Sequence, residues 1–569
     1  MRSKARPTPK LLRALRALLS LALAAAASLL LAGAVQTRGD FWSPGREPET
    51  AGSLLERMKD EEVLGQILMM AYPGDEPGPE VIAWIEKRGL GGIKIFGWNA
   101  ADTDKLARSV ASLQESALRS GAGVPLLVAT DQEGGWIRHV KGATTVTTGN
   151  MAIGASGLPY DAFRSAYIIG KELAALGINM NFAPSIDLAT RPKSRIMGPR
   201  AFSDDPAQTA ALGTAYVRGL EEAGIIATAK HYPGHGATEL DSHGVLPVIG
   251  IDAKTLWERE LVPFRTLIAE GVPAIMSGHL SYPLVSGDGK PASLSRFFMT
   301  DMLRDRLGFR GIAVTDDILM NGAEGGGAIS DTCIMAIEAG NDLIMMSSLL
   351  AMDDPVWTKL LAMYRKNPAF KARVREAALR VLELKLGRLK PRGKEALVPD
   401  METLGSKVPD PEAESFIRGQ AYRSATAVRS AGIPFRPRGK IVAAGPNSDF
   451  IAAARIAYPD VKPFVFSAQA ELVAKDFEIT AFKYALDGAS AAVICVANPA
   501  GMDFAEAARA AGVRVAVVST QSPAPLARGP WIEAAVAVYG FAPASLEAAF
   551  AVLSGAAPAN GRLPVKLAP

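Results

Sequence analysis

Between residues 60 and 350 one local pattern recurs: a short apolar, β-branched run, a polar or glycine-rich turn, then a stretch of helical period. The runs are 66-QILMMAY, 92-GIKIFG, 125-PLLVAT, 178-INMNFAP, 225-IIATAKH, 273-PAIMSGH, 311-GIAVTD and 341-NDLIMMS. Strands that read as continuous apolar runs are buried on both faces. Helices between them predict a parallel sheet with helical crossovers. Eight such units over this length predict a (β/α)8 barrel of the TIM type. A doubly wound open sheet is the alternative and would be unusually long.

The ends of the predicted strands carry chemistry. The third runs into Asp131-Gln132-Glu133, the fourth into Ser185-Ile186-Asp187, the fifth into Lys230-His231, the sixth into His279 and the seventh into Asp316-Asp317. In a barrel these ends share the face on which active sites are built. Any one of them also reads as a helix N-cap, and Asp187 fits that reading well. Five together fit it poorly.

The barrel is expected over 50–390. Residues 391–436, rich in proline and charge with a helix near 410–425, read as a linker. After it, 440-KIVAAG, 463-PFVFS, 491-AAVICVANP, 514-RVAVVSTQSP and 535-AAVAVYGF alternate with alanine-rich helical segments, which predicts a smaller α/β sandwich domain over 437–569. No G-x-G-x-x-G spacing marks a nucleotide site. Cys333 and Cys495 are the chain's two cysteines and form no C-x-x-C pair, so neither zinc nor dithiol chemistry is indicated.

Residues 1–16 carry six basic side chains and no acid, and 17-ALLSLALAAAASLLLAGA-34 is uncharged with an A-x-A ending. Residues 1–34 therefore read as a signal peptide, with a periplasmic or secreted destination. An uncleaved membrane anchor over 17–34 is the competing reading. The leader's six positive charges exceed the chain's net +4, so the remainder is slightly acidic and nothing calls for a nucleic-acid partner.

The stretch 230-KHYPGHGATELDSH-243 holds three of the five histidines. His231 and His235 have the spacing of two metal ligands on one helix face, but Pro233 and Gly234 between them oppose a helix, and the glutamate of H-E-x-x-H is missing. Asp241 and His243 are two apart, so in extended chain they point the same way, and a carboxylate beside an imidazole suits a general acid/base. Asp316, where the seventh strand leaves the barrel, suits a nucleophile or a charge stabiliser. A carboxylate facing a proton donor is the minimal machinery for glycosidic bond cleavage.

With these residues the sequence resembles family 3 glycoside hydrolases, in particular their β-N-acetylglucosaminidase branch. KHYPGHGATELDSH is similar to that branch's K-H-[FY]-P-G-H-G and D-[ST]-H elements. The resemblance extends through 131-DQEGG, 181-NFAPSIDLA, 200-RAFSDDP, 276-MSGHLSYP, 315-TDDILM, 519-STQSPAPL, 538-VYGFAPASLEAA and 561-GRLPVKL. It implies that Asp316 is a nucleophile forming a covalent glycosyl–enzyme. It implies that His243, paired with Asp241, is the acid/base, and that Asp131, Arg200, Lys230 and His231 bind sugar hydroxyls. No metal or cofactor is implied, and the partner is a carbohydrate. One departure stands out. The family usually continues DQEGG with R-V-x-R, whereas this chain has 136-WIRHV, with Trp136 and His139 at the arginine positions and Arg138 shifted by one. His139 as a substitute sugar ligand and Trp136 as a stacking platform are both open.

The expectation is an exported, retaining exo-β-N-acetylglucosaminidase acting on GlcNAc-terminated peptidoglycan fragments or chitin oligomers. The alternatives are a β-N-acetylglucosaminide phosphorylase or β-glucosidase of the same family, a metal-dependent barrel hydrolase, and a non-catalytic sugar-binding protein.

Overall fold

The computed structural model describes residues 40–194, 196–323, 327–467 and 473–567. The leader read at 1–34 lies outside them. Among the described residues no helix is long and apolar enough to cross a membrane.

Each of the eight apolar runs contains a parallel strand: β1 Leu68–Met70, β2 Gly92–Ile95, β3 Leu127–Thr130, β4 Met180–Asn181, β5 Ile226–Tyr232, β6 Ala274–Ser277, β7 Ile312–Thr315 and β8 Ile344–Met346. They neighbour one another in chain order, and β8 lies beside β1. A parallel bridge between Val314 and Leu343 brings β7 against β8 and closes the barrel. The barrel has only short strands to offer, and every residue in the eight of them is buried.

Side-chain alternation sorts these strands into an outer and an inner face. Ile93, Ile95, Val128, Ala227, Ala229 and Ala313 pack outward in the core shared with the helices. Met69, Leu127, Ala129, Met180, Phe182, Ile226, Met276, Ile312, Val314 and Met345 form a separate core inside the barrel. Continuing the inward parity toward the carboxyl ends reaches Lys94 on β2, Asp131 after β3, Lys230 on β5 and Asp316 after β7. The top layer of the barrel is thus charged because the alternation delivers charged residues to it.

The second unit is a six-stranded sheet: β9 Thr426–Arg429, β10 Lys440–Gly445, β11 Lys462–Val465, β12 Ala489–Val496, β13 Arg514–Ser519 and β14 Ala534–Ala537. Its order is β9-β14-β13-β12-β10-β11, parallel except for β9, which runs antiparallel to β14. Apolar cores lie on both faces of the sheet. β9 corrects the sequence reading, which counted five strands here and assigned 391–436 to a linker. The strand is four residues long, at the sheet edge, with alternating burial, so it lacks the continuous apolar run by which the central strands were recognised.

The helix Ala413–Ser424, also inside that stretch, joins the two units. Its Arg423 makes a bidentate pair with the buried Asp161 of the barrel at 2.6 and 3.2 Å. Its Gln420 accepts from Thr148 Oγ1 at 2.8 Å.

Lys385, fully buried on the helix Pro368–Arg388, donates to the neutral Gln66 Oε1 at 2.8 Å. Burial pushes its pKa down to about 7. An unfolded lysine titrates near 10.4, so between about 7 and 10 the unfolded chain holds a proton that the folded chain releases, and stability rises with pH across that window. Lys385→Met is expected to raise the melting temperature at pH 7 by about 2 °C or more and to flatten that rise, as thermal melts at several pH values would show.

Candidate active site

At the carboxyl end of the barrel the inward-facing charges pair with one another. Asp131 sits between two ammonium groups: Lys230 donates to its Oδ1, and Lys94 lies 2.8 Å from its Oδ2. Glu133 lies two residues on. It takes Lys230 Nζ at 2.7 Å and a two-pronged contact from Arg200, Nε at 2.9 Å and Nη2 at 2.7 Å. Burial alone would raise both carboxyls. For Asp131, Lys230 and Lys94 reverse this and hold it well below the ordinary carboxylate range, while Arg200 and Lys230 bring Glu133 down to about 2. Both are fixed anions, and Asp131, the more open of the two, can accept hydrogen bonds from a polyol.

Arg200 reaches this cluster from a loop that both units brace. Asn150 Nδ2 donates to Arg200 O at 2.8 Å. Asp205 caps the helix Pro206–Glu222 through the amides of Ala207 and Gln208. From the second unit, Pro564 O accepts from the Ser203 hydroxyl at 2.7 Å and the Asp204 amide at 3.1 Å, and the Lys566 amide donates to Asp204 Oδ2 at 2.8 Å. The C-terminal segment therefore holds the loop that delivers Arg200.

The histidine-rich stretch is folded around Asp187, which is no helix cap. Its carboxylate accepts from the amides of His231 and His235 and from His231 Nδ1 at 2.7 Å. With Nδ1 donating to Asp187, His231 Nε2 accepts from Arg200 Nη2 at 3.4 Å. The contacts from His231 and His235 overcome burial and hold Asp187 strongly acidic. His235 is buried, with its pKa lowered to about 4 by desolvation and by His231, and its Nε2 lies 3.3 Å from Ser242 Oγ. The loop can pack this closely because a Cβ on Gly236 would fall 1.9 Å from Leu188 O.

Ser242 stands between Asp241 and His243. His243 Nδ1 lies 2.7 Å from Asp241 Oδ1, which also accepts the His243 amide at 3.0 Å. Both side chains are at least half exposed, so the dyad is on the rim of the site and not in its floor. The rim loop docks on the segment after β7. Gly322 N donates to Ser242 O at 3.0 Å, and a Cβ there would come within 2.6 Å of that oxygen. Six residues upstream, Asp316 is half-buried. Burial would raise its pKa, but His231, His279, the Asp317 amide and Lys230 outweigh it and keep the carboxylate anionic. Asp317 turns away: its Oδ1 accepts from the amides of Leu319 and Ser347. His279 lies between, donating from Nε2 to Asp317 O at 3.0 Å and accepting at Nδ1 from Ser293 Oγ at 2.7 Å. Among the described residues no group of three or more His, Cys, Asp or Glu is arranged to hold a metal ion.

An anionic carboxylate, an imidazole dyad and a floor of paired donors and acceptors can together cleave an acetal. Residues 60–384 match the model of the glycosyl hydrolase family 3 N-terminal domain. The chain belongs to glycosyl hydrolase family 3. A relative from Cellulomonas fimi, a β-N-acetylglucosaminidase/β-glucosidase, is 30% identical over 553 residues, covering 90% of this chain and 94% of that protein. β-Hexosaminidase A of Pseudoalteromonas piscicida is 37% identical over 284 residues, 47% of either chain, so the match spans about half of that relative's length. Among solved structures, a family 3 β-N-acetylglucosaminidase from Paenibacillus sp. str. FPU-7 is similar over 90% of this chain and 99% of its own, with TM-score 0.75 and 29% identity.

In this family 3 glycoside hydrolase the 136-WIRHV departure has a definite structure. Arg138 is spent on its own loop, with Nη2 on Lys141 O at 2.8 Å and Thr144 O at 2.6 Å. Trp136 is 48% exposed. His139 faces the floor: its ring stacks on Phe96 at 5.3 Å, and its Nδ1 lies 3.3 Å from Lys94 Nζ and 3.9 Å from Asp131 Oδ2. Burial, then Lys94, lower its pKa to about 4. The structure thus gathers Asp131, Arg200, Lys230, His231 and His139 in one network beside Asp316, and places His243 with Asp241 at the rim. Lys94 was not foreseen, and Glu133, named at the end of the third strand, was given no role. Lys94 did leave a signal, as the one charge inside an otherwise apolar strand.

Proposed function

We propose that the chain is a retaining exo-β-N-acetylglucosaminidase, exported by way of residues 1–34, that removes terminal GlcNAc from peptidoglycan fragments or chitin oligomers. The observation that carries this is the Asp241–His243 dyad, seated on the segment that follows Asp316, opposite a floor built for a neutral polyol. In the first step an Asp316 oxygen attacks the anomeric carbon as the glycosidic bond breaks, and doubly protonated His243 gives its Nε2 proton to the leaving oxygen. In the second, neutral His243 takes a proton from water at Nε2 as that water displaces Asp316. Asp241 holds Nδ1–H throughout, so only Nε2 exchanges protons. Asp131, Lys230, His231 and Arg200 orient the sugar.

A second reading, activity on β-glucosides as well, is favoured by the Cellulomonas fimi relative named for both. Side-by-side turnover of the nitrophenyl β-N-acetylglucosaminide and β-glucoside, in phosphate-free and in phosphate buffer, tests the proposal. A clear preference for the acetylated sugar, independent of phosphate, is expected. Preference for glucose overturns the specificity, and dependence on phosphate turns the enzyme into a phosphorylase.

A further inference from the structure

At the family's second arginine position this chain has His139, a residue neutral at ordinary pH. A site that gives up a buried guanidinium beside a carboxylate loses a positive charge, and an anion left underpaired in the interior is costly. In this structure a second buried cation stands beside that position. Lys94 is fully buried on the inward parity of β2, where the neighbouring strand residues are apolar. Its three N–H groups have three acceptors: Asp131 Oδ2 at 2.8 Å, Ile95 O at 2.9 Å and His139 Nδ1 at 3.3 Å. The ammonium also lies over the Phe96 ring, 4.3 Å from its centroid, and that ring stacks on His139. Because a lysine ammonium can only donate, His139 Nδ1 must accept, which leaves the ring's own proton on Nε2.

We propose that Lys94 and His139 together do the work of one arginine: Lys94 is a positioning residue that locks Asp131 from the side opposite Lys230, and His139 is held by Lys94 as a neutral Nε2–H donor. Asp131 has one ammonium on each oxygen and is pinned in rotation as well as in charge. Neither residue is interchangeable alone. An arginine at 139 with Lys94 present would crowd two cations against Oδ2 and three, with Lys230, against one carboxylate, whereas methionine at 94 with His139 present would leave Oδ2 without its cation. The assignment of Asp131 as a sugar ligand rests on the proposed function; the state of His139 does not.

The test is the set Lys94→Met, His139→Arg and the double variant. Each single change is expected to raise KM for the nitrophenyl N-acetylglucosaminide roughly ten- to a hundredfold, as loss of a charge-assisted contact does. The double change should recover most of that loss. A lysine with only a packing role gives no such rescue, so additive or worse losses in the double variant, or a harmless Lys94→Met, overturn the proposal. Ring-nitrogen NMR shifts of histidine-labelled enzyme, with His139 assigned by its absence in His139→Gln, need no change at position 94 and no turnover. A neutral Nε2–H ring at pH 6, facing Lys94, Asp131 and Lys230, is expected. An Nδ1–H or doubly protonated ring contradicts the proposal even if the chain proves inactive on N-acetylglucosaminides.

Discussion

Asp316→Ala is expected to lower kcat/KM for a GlcNAc β-glycoside on the order of 10⁴-fold while the protein stays folded. On the proposed mechanism the loss is large because the carboxylate replaces the leaving oxygen at the anomeric carbon, and no neighbour can stand in for it. Asp317 is adjacent in sequence, but its oxygen is committed to the amides of Leu319 and Ser347. Glu133 and Asp187 are tied up by Arg200 and His231. The fold should survive, since the contact that Asp316 oxygen makes is with the amide of the next residue, and its backbone remains bonded to Ser277 O. Steady-state kinetics with a melting curve check both halves. A variant retaining more than a few per cent of activity moves the nucleophile elsewhere.

His243→Ala gives the second large effect, and its dependence on the leaving group matters more than its size. Removing a positioned acid typically costs 10²–10⁴-fold. Here the loss should approach that range for a sugar leaving group and shrink steeply for dinitrophenol, which departs without a proton. On the proposed mechanism the second step would still lack its base, so the glycosyl–enzyme should accumulate and an early burst of phenol should appear. Added azide, a nucleophile that needs no deprotonation, should speed turnover. Equal losses on both substrates, with no burst, remove His243 from proton transfer and leave it a rim residue.

The eight apolar runs were sufficient to place Lys230, Asp131 and Asp316 on one face, because the carboxyl ends of the strands converge there in a barrel; that they share one inward layer follows from the alternation seen in the structure. The Asp241–His243 pairing was legible because it is local, although it forms in a turn, with Asp241 O accepting from the Gly244 and Val245 amides, and not in the extended chain that was expected. What escaped were relations across the barrel. Asp187 read as a cap because an Asp after a strand usually is one; its partnership with His231 joins residues that only the β4–β5 neighbourhood brings together. Glu133 read as part of a motif, and its bond to Arg200 depends on a loop held by Pro564 from the far end of the chain. Lys94 read as a strand residue, since no local pattern says which charge in an apolar run will meet a carboxylate.

The most direct test of the site is to trap the enzyme with a fluorinated GlcNAc analogue that forms the glycosyl–enzyme quickly and releases it slowly, then locate the label by peptide mass spectrometry. One sugar per chain is expected, on the peptide containing Asp316 and at that residue. A label on another carboxylate, or none from an enzyme that turns over its substrate, contradicts Asp316 as the nucleophile.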